Sequence, residues 1–151
     1  MDAGGLDFQL LGIGFNGHIA FNEPVSASKI SAEDFAVLPT RVIRLKELTI
    51  RTNAALTAGG DLASVPRQAV TMGMRPILQA KEIMLLACFK EQAVPLRKIK
   101  AGIISPETPA SLLLNHPSAK VIYTSDTIAL AEEEPLDRTR RSGGTSETLA
   151  N

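Results

Sequence analysis

Two runs constrain the fold more than anything else in the chain: Leu-Asp-Phe-Gln-Leu-Leu-Gly-Ile at 6–13 and Glu-Ile-Met-Leu-Leu-Ala-Cys at 82–88. Both are short and mostly apolar, and neither shows the strict in–out alternation of a strand with one wet face. Strands of that kind have to be covered on both sides, which is the condition of a strand inside a parallel sheet. Weaker strands are expected at 41–45, 68–72 and 120–124. Helices are expected at 46–57, stopped by Gly59 and Gly60, and at 91–101, ending near Gly102. Shorter helical turns are expected at 75–80, with Pro76 in the first turn, at 109–115 with Thr108 as N-cap, and at 127–132. The polar segment 26–39 has no clear period and reads as a loop or short helix. This order predicts an α/β fold: a mostly parallel, Rossmann-like sheet of about four or five strands with helices on both faces.

With 151 residues, 44% apolar and 21% charged, the chain has the make-up of one ordinary globular domain. Sixteen basic residues balance sixteen acidic ones, so no nucleic-acid or membrane-surface partner is expected. No window approaches the ~18 apolar residues of a membrane span, and no signal-peptide pattern opens the chain, so the expected compartment is the cytoplasm. The one cysteine, Cys88, excludes an intramolecular disulfide and a cysteine zinc site, and its apolar run predicts a buried, inert thiol. From Glu133 the chain turns rich in Glu, Arg, Ser, Gly and Thr. The reading is a domain at 1–132 and a disordered tail at 133–151, with Arg138, Arg140 and Arg141 solvated.

The chemistry is concentrated in the loop after the first strand. Gly12-Ile-Gly14-Phe-Asn-Gly17 spells the dinucleotide fingerprint G-x-G-x-x-G. That fingerprint needs a helix to begin inside it and face the pyrophosphate with its N-terminus. Here Asn22-Glu23-Pro24 breaks the chain five to seven residues after Gly17, and no strand delivers Glu33 or Asp34 to a ribose. Nicotinamide binding is therefore rejected. The loop does place His18 and, five residues on, Glu23 at the carboxyl end of a central strand, where open α/β sheets bind ligands. A histidine can give and take protons near neutrality, and a carboxylate can hold its tautomer. On spacing alone, a purely structural His18 is an equal alternative.

The longer string Leu11-Gly-Ile-Gly-Phe-Asn-Gly-His-Ile-Ala-Phe-Asn-Glu-Pro24 resembles the signature of the glucosamine-6-phosphate deaminase/isomerase family. The related 6-phosphogluconolactonases share a Gly-x-Gly-x-x-Gly-His core but do not typically continue Ile-Ala-Phe-Asn-Glu-Pro. Val65-Pro-Arg-Gln-Ala-Val-Thr-Met-Gly73, the strand leading to Lys90, and Pro109-Ala-Ser-Leu-Leu-Leu-Asn-His-Pro117 follow in the family's order. The resemblance runs from about residue 6 to 130 and starts partway through the family's fold, so the C-terminal portion of that fold is expected.

The resemblance implies conversion of glucosamine 6-phosphate and water to fructose 6-phosphate and ammonia, without metal or organic cofactor. Galactosamine 6-phosphate is a variant substrate, and a homo-oligomer is a possible state. It implies His18 as the ring-opening acid/base, Glu23 as its orienting carboxylate, and Asn16 where the family carries Asp or Asn. Gly14 and Gly17 bring backbone close to substrate, Lys90 contacts the phosphate, and His116 is structural. There are three departures. The family's proton-shuttling aspartate and its Ser/Gly-rich phosphate loop belong to the N-terminal half. A family arginine falls at Ala55, with Arg51 one turn earlier as the candidate substitute. Segment 26–39 departs from the family's usual sequence. The alternatives are an inactive or sugar-phosphate-binding remnant, or a lactonase, against which the Phe21-Asn-Glu-Pro24 continuation argues.

Overall fold

The computed structural model describes residues 4–130; the expected tail at 133–151 lies outside the described residues. Strand β1 (Phe8–Gly12) is followed by a loop, helix α1 (Ala32–Ala36), strand β2 (Arg41–Arg44) and helix α2 (Glu47–Thr57). Strand β3 (Gln68–Thr71), helix α3 (Met74–Leu78), strand β4 (Glu82–Ala87), helix α4 (Ala93–Lys100) and strand β5 (Ala119–Tyr123) complete the order. Single 3₁₀ turns lie at Leu62–Ser64 and Lys90–Gln92, and a longer 3₁₀ segment at Pro109–Asn115.

The fold is mixed α/β, as expected, and its main sheet is parallel. β4 is central, with β1 on one side and β5 on the other, so that Leu11 stands opposite Leu85 and Leu85 opposite Val121. Of the three weaker strands, the one at 120–124 joins it as β5 and the other two do not. β2 and β3 form a separate antiparallel pair, with Val42 opposite Val70. The reason is visible in their burial. Ile43 and Ala69 pack toward Ile50 and Ala54 of α2, while Val42 and Val70 face outward. A strand with one wet face suits an antiparallel ladder.

On one side of the main sheet Leu11, Ile13, Ile83, Leu85 and Ala87 enter a core with Phe35, Met74, Ile77, Leu96 and Leu112. The other side presents Phe8, Leu10, Leu86 and Ile122, all exposed. Cover on that second face, part of the two-faced layout read from the apolar runs, is not found among the described residues. Alternation along β4 therefore buries Leu85 fully and leaves Leu86 in solvent, although the sequence gives both the same side chain.

Two local expectations change. Cys88 is exposed: β4 ends at Ala87, and Cys88 already belongs to the turn in which its N–H donates to the Gln92 side chain at 2.7 Å. The helix expected at 127–132 is, over its described part, one turn closed by the N–H groups of Thr127 and Ile128 on the Thr124 carbonyl. His116 takes the structural place expected of it. Its Nδ1 accepts from Ser118 N–H at 3.1 Å, so Nε2 carries the proton and donates to the Ala80 carbonyl at 2.8 Å. That pair of bonds ties the approach to β5 to the approach to β4.

The neighbouring leucines of β4 give a direct test of this register. Leu85→Ala removes a fully buried side chain and should cost about 2–5 kcal/mol in urea denaturation. Leu86→Ala in the same chain should stay within about 0.5 kcal/mol of the parent.

Candidate active site

The loop leaving β1 folds back on itself within seven residues. Ile13 bridges to Ile19, Gly14 N–H donates to the His18 carbonyl at 2.9 Å, and Gly17 N–H donates to the Gly14 carbonyl at 2.9 Å. Gly17 adopts φ 87°, the left-handed region where a side chain is strained, and a Cβ there would press on Thr108 and Pro95. Its carbonyl accepts from Ala110 N–H at 2.9 Å, which locks the loop to the 3₁₀ segment. Thr108 occupies the N-cap position of that segment without a side-chain cap bond. The tight fold lays the His18 ring against Gly14, where any Cβ would collide with the imidazole. No helix begins in the glycine run; the next one after β1 is α1, far downstream, so the dinucleotide reading has no structural support.

The second sheet holds the far end of the loop. Buried Asn22 donates through Nδ2 to the Ile19 and Met72 carbonyls at 3.1 and 2.9 Å, and its Oδ1 accepts from Arg41 at 2.9 Å. Phe21 N–H donates to Thr71 Oγ1 at 2.9 Å. Glu23 is thereby fixed behind the histidine, where one carboxylate oxygen accepts from Lys46 N–H at 3.1 Å.

His18 and Glu23 do not bond directly. Their nearest polar atoms, Nδ1 and Oε2, are 3.8 Å apart, and Asn16 stands between them. Asn16 Nδ2 donates to Glu23 Oε2 at 2.9 Å, and Asn16 Oδ1 lies 2.7 Å from His18 Nδ1 and 3.2 Å from His18 backbone N. The orientation of the amide follows from its partners. A carboxylate can only accept and a backbone N–H can only donate, so Nδ2 must face Glu23 and Oδ1 must face His18. Oδ1 then requires a proton on Nδ1. The neutral ring is the Nδ1–H tautomer, and its Nε2, which makes no hydrogen bond among the described residues, keeps a lone pair. Burial pushes the His18 pKa below 6.5, while the Glu23 carboxylate opposes that shift. At neutral pH the site is therefore a desolvated, neutral base held in one tautomer.

Asn16, His18 and Gly14 line a cleft of about 570 Å³ between β1 and α2. Glu23 supports that wall from behind, and Gly17 shapes the turn without lining the cleft. Lys90 is exposed at the start of its 3₁₀ turn and is not among the lining residues; its neighbour Phe89 is. Arg51 does not reach the cleft either, and pairs with Glu47 at 3.1 Å. Two lining residues went unnoticed in the sequence. Buried Gln92 donates to the Ile13 carbonyl at 2.6 Å and accepts from Cys88 and Phe89 N–H at 2.7 and 2.8 Å, joining the ends of β1 and β4. Thr49, 2% exposed, carries a buried hydroxyl that has no hydrogen-bond partner among the described residues. Neither residue stands in a run that marks it, since only the folded chain brings α2 and the turn after β4 beside the loop.

No protein-family model matches the chain. Curated proteins do. A glucosamine-6-phosphate deaminase of Lysinibacillus sphaericus is 44% identical over 121 residues, which are 80% of this chain and 47% of the relative. Glucosamine-6-phosphate deaminase 2 of Bacillus subtilis is 46% identical over 80% of this chain and 45% of its own length. By sequence, the chain is similar to one portion of these glucosamine-6-phosphate deaminases. It spans about half the length of the curated relatives it matches. Among solved structures, a monomeric glucosamine-6-phosphate deaminase of the NagB superfamily aligns with TM-score 0.67 and 42% identity, over 78% of this chain and 44% of that one. A 6-phosphogluconolactonase from Trypanosoma brucei aligns with TM-score 0.56 at 22% identity, over 80% and 40% respectively, a likeness of fold alone. Among the described residues no helix is long and apolar enough to cross a membrane.

The buried neutral histidine has a measurable signature. His18 should titrate below 6.5 by NMR. A histidine whose pKa is lowered by folding binds its proton more readily in the unfolded chain. Stability should thus be intact above pH 6.5 and fall as pH drops from 6.5 toward the folded-state pKa. His18→Gln should flatten that part of the stability–pH curve.

Proposed function

We propose that the chain carries the ring-opening half of a glucosamine-6-phosphate deaminase site, and that its reaction is the conversion of glucosamine 6-phosphate and water to fructose 6-phosphate and ammonia. The observation that carries the reading is the Asn16-bridged His18–Glu23 array at the carboxyl end of β1, in a chain 37–46% identical to proteins of that name. The protonated Nδ1 leaves Nε2 to meet substrate. It takes the proton of the C1 hydroxyl as the C1–O5 bond breaks and returns a proton to O5, so the sugar opens with no net change in the imidazole. The transient imidazolium bonds to the Asn16 oxygen, and Glu23 balances its charge through the amide. In the steps that follow, a proton moves from C2 to C1, and water adds to the resulting imine and expels ammonia. The class is an aldose–ketose isomerase that also hydrolyses a C–N bond, and a phosphorylated sugar, which does not cross bilayers, suits a cytoplasmic setting.

Lys90 is assigned to the phosphate from the family resemblance and from its place next to Phe89, which lines the cleft. A second placement is favoured by the adjoining cleft of about 350 Å³, which shares Asn16 and is lined by Lys46 and Lys98.

The reading is tested by ammonia and fructose 6-phosphate release from glucosamine 6-phosphate. His18→Ala should lower kcat by about 10²–10⁴-fold, the usual contribution of a positioned acid/base, without loss of fold by circular dichroism. No release by the parent chain, alone or beside the rest of a family member, defeats the reading. Lys90→Ala should raise KM with kcat little changed; if instead KM rises for Lys46→Ala and Lys98→Ala, the phosphate sits in the adjoining cleft.

A further inference from the structure

One polar group in the cleft is at odds with its surroundings. Thr49 lies in the first turn of α2 and is 2% exposed. Its hydroxyl is the one buried side-chain polar atom among the described residues that has no hydrogen-bond partner there. A hydroxyl buried in this way has given up its bonds to water and gained none. The same helix shows the usual remedy. Thr57 donates to the Asn53 carbonyl, four residues back, at 2.7 Å. Thr49 has no such carbonyl within its helix, because four residues back lies Leu45, ahead of the start at Glu47. Valine has nearly the same shape and no polar atom, so packing alone gives no reason for a threonine at this position.

Thr49 lines the cleft together with two other groups that keep unused hydrogen-bonding capacity. His18 Nε2 offers a lone pair. Gln92 is 5% exposed, and its side-chain oxygen accepts from two N–H groups. Its Nε2 gives one hydrogen to the Ile13 carbonyl and keeps the other. No Asp, Glu, Lys or Arg is among the described residues lining this cleft. A lone pair, an N–H and a hydroxyl on uncharged walls match a ligand that carries several neutral oxygens, which is the chemistry of a polyol.

We infer that Thr49 is a substrate-contacting residue whose hydroxyl finds its partner on a ring hydroxyl of the bound sugar. A helical threonine populates two rotamers, and rotation about that one bond swings the hydroxyl to a new direction. The inference rests on the proposed reading for the identity of the sugar, and it goes further by naming the part of the sugar that is read. In glucosamine 6-phosphate, O1 and O5 are engaged in ring opening at His18, C2 carries the amine and C6 the phosphate. The hydroxyls on C3 and C4 remain, and Thr49 bonds one of them. If that one is on C4, Thr49 also separates glucosamine 6-phosphate from galactosamine 6-phosphate, which differ in configuration there.

The test compares Thr49→Val and Thr49→Ser with the parent, alone and beside the rest of a family member, by urea unfolding and by the kinetics of ammonia release. Thr49→Val should leave the unfolding midpoint at or above that of the parent, because the lost hydroxyl had no partner in the free protein. It should raise KM for glucosamine 6-phosphate about tenfold, the effect of one lost hydrogen bond. Thr49→Ser keeps the hydroxyl and should stay near the parent KM. The Thr49→Val deficit should vanish on the 3-deoxy or the 4-deoxy analogue, whichever lacks the contacted hydroxyl. Thr57→Val, outside this cleft, should leave KM unchanged. A midpoint lowered by Thr49→Val overturns the inference, since the hydroxyl then has its partner within the protein. So does a deficit that persists on both analogues. An active parent whose KM is indifferent to Thr49→Val defeats this inference alone, and a parent that releases no ammonia in either setting defeats the proposed reaction and this inference together.

Discussion

The parallel pairing of β1 with β4 is the constraint on which the site depends. It places Gly12 opposite Leu86 and so brings the ends of the two strands level. Gln92 then joins those ends through three hydrogen bonds: to the Ile13 carbonyl and from two N–H groups at the foot of β4. A buried side-chain amide satisfied in this way is costly to disturb, because breaking any one bond leaves a desolvated polar group behind. The loop that carries His18 therefore starts from a fixed point. Its other end is pinned to the second sheet by Asn22 and Thr71, so the small antiparallel pair acts as a strut for the loop.

Within that frame the electrostatics are set by one uncharged residue. An aspartate at position 16 would place a second carboxylate beside Glu23 and next to the histidine. Asn16 instead passes the influence of Glu23 to His18 through a dipole and fixes the tautomer by its own hydrogen-bonding needs. Desolvation then outweighs the distant carboxylate, and the ring is held neutral. Such a histidine is ready to accept a proton at neutral pH, as the proposed ring opening requires.

Much of this was legible in the chain. The apolar runs announced the two neighbouring parallel strands, and the break at Asn22-Glu23-Pro24 ruled out a crossover helix in the glycine run. Asn16, His18 and Glu23 stand within eight residues of one another, so local folding alone could bring them together. Less was legible where distance in sequence was large. Lys90 follows a strand that ends beside the site, yet its side chain is exposed off the cleft, and Gln92 two residues later is the one that turns inward. A 3₁₀ turn at Lys90–Gln92 decides which of the two faces the loop, and pattern reading had placed a helix there from Glu91.

Sequence by itself determined the strand-forming runs, the turn glycines and which polar side chains the Asn16–His18–Glu23 array brings together, because each depends on residues close along the chain. Tertiary structure decided the rest. It chose which face of β4 is dry, sent β2 and β3 to their own sheet, exposed Cys88, set Asn16 between His18 and Glu23, and opened the long groove along β1. Those outcomes depend on which surfaces meet across the fold. Burial and hydrogen-bond satisfaction are properties of the assembled core, and a run of apolar letters reads the same whether or not anything comes to cover it.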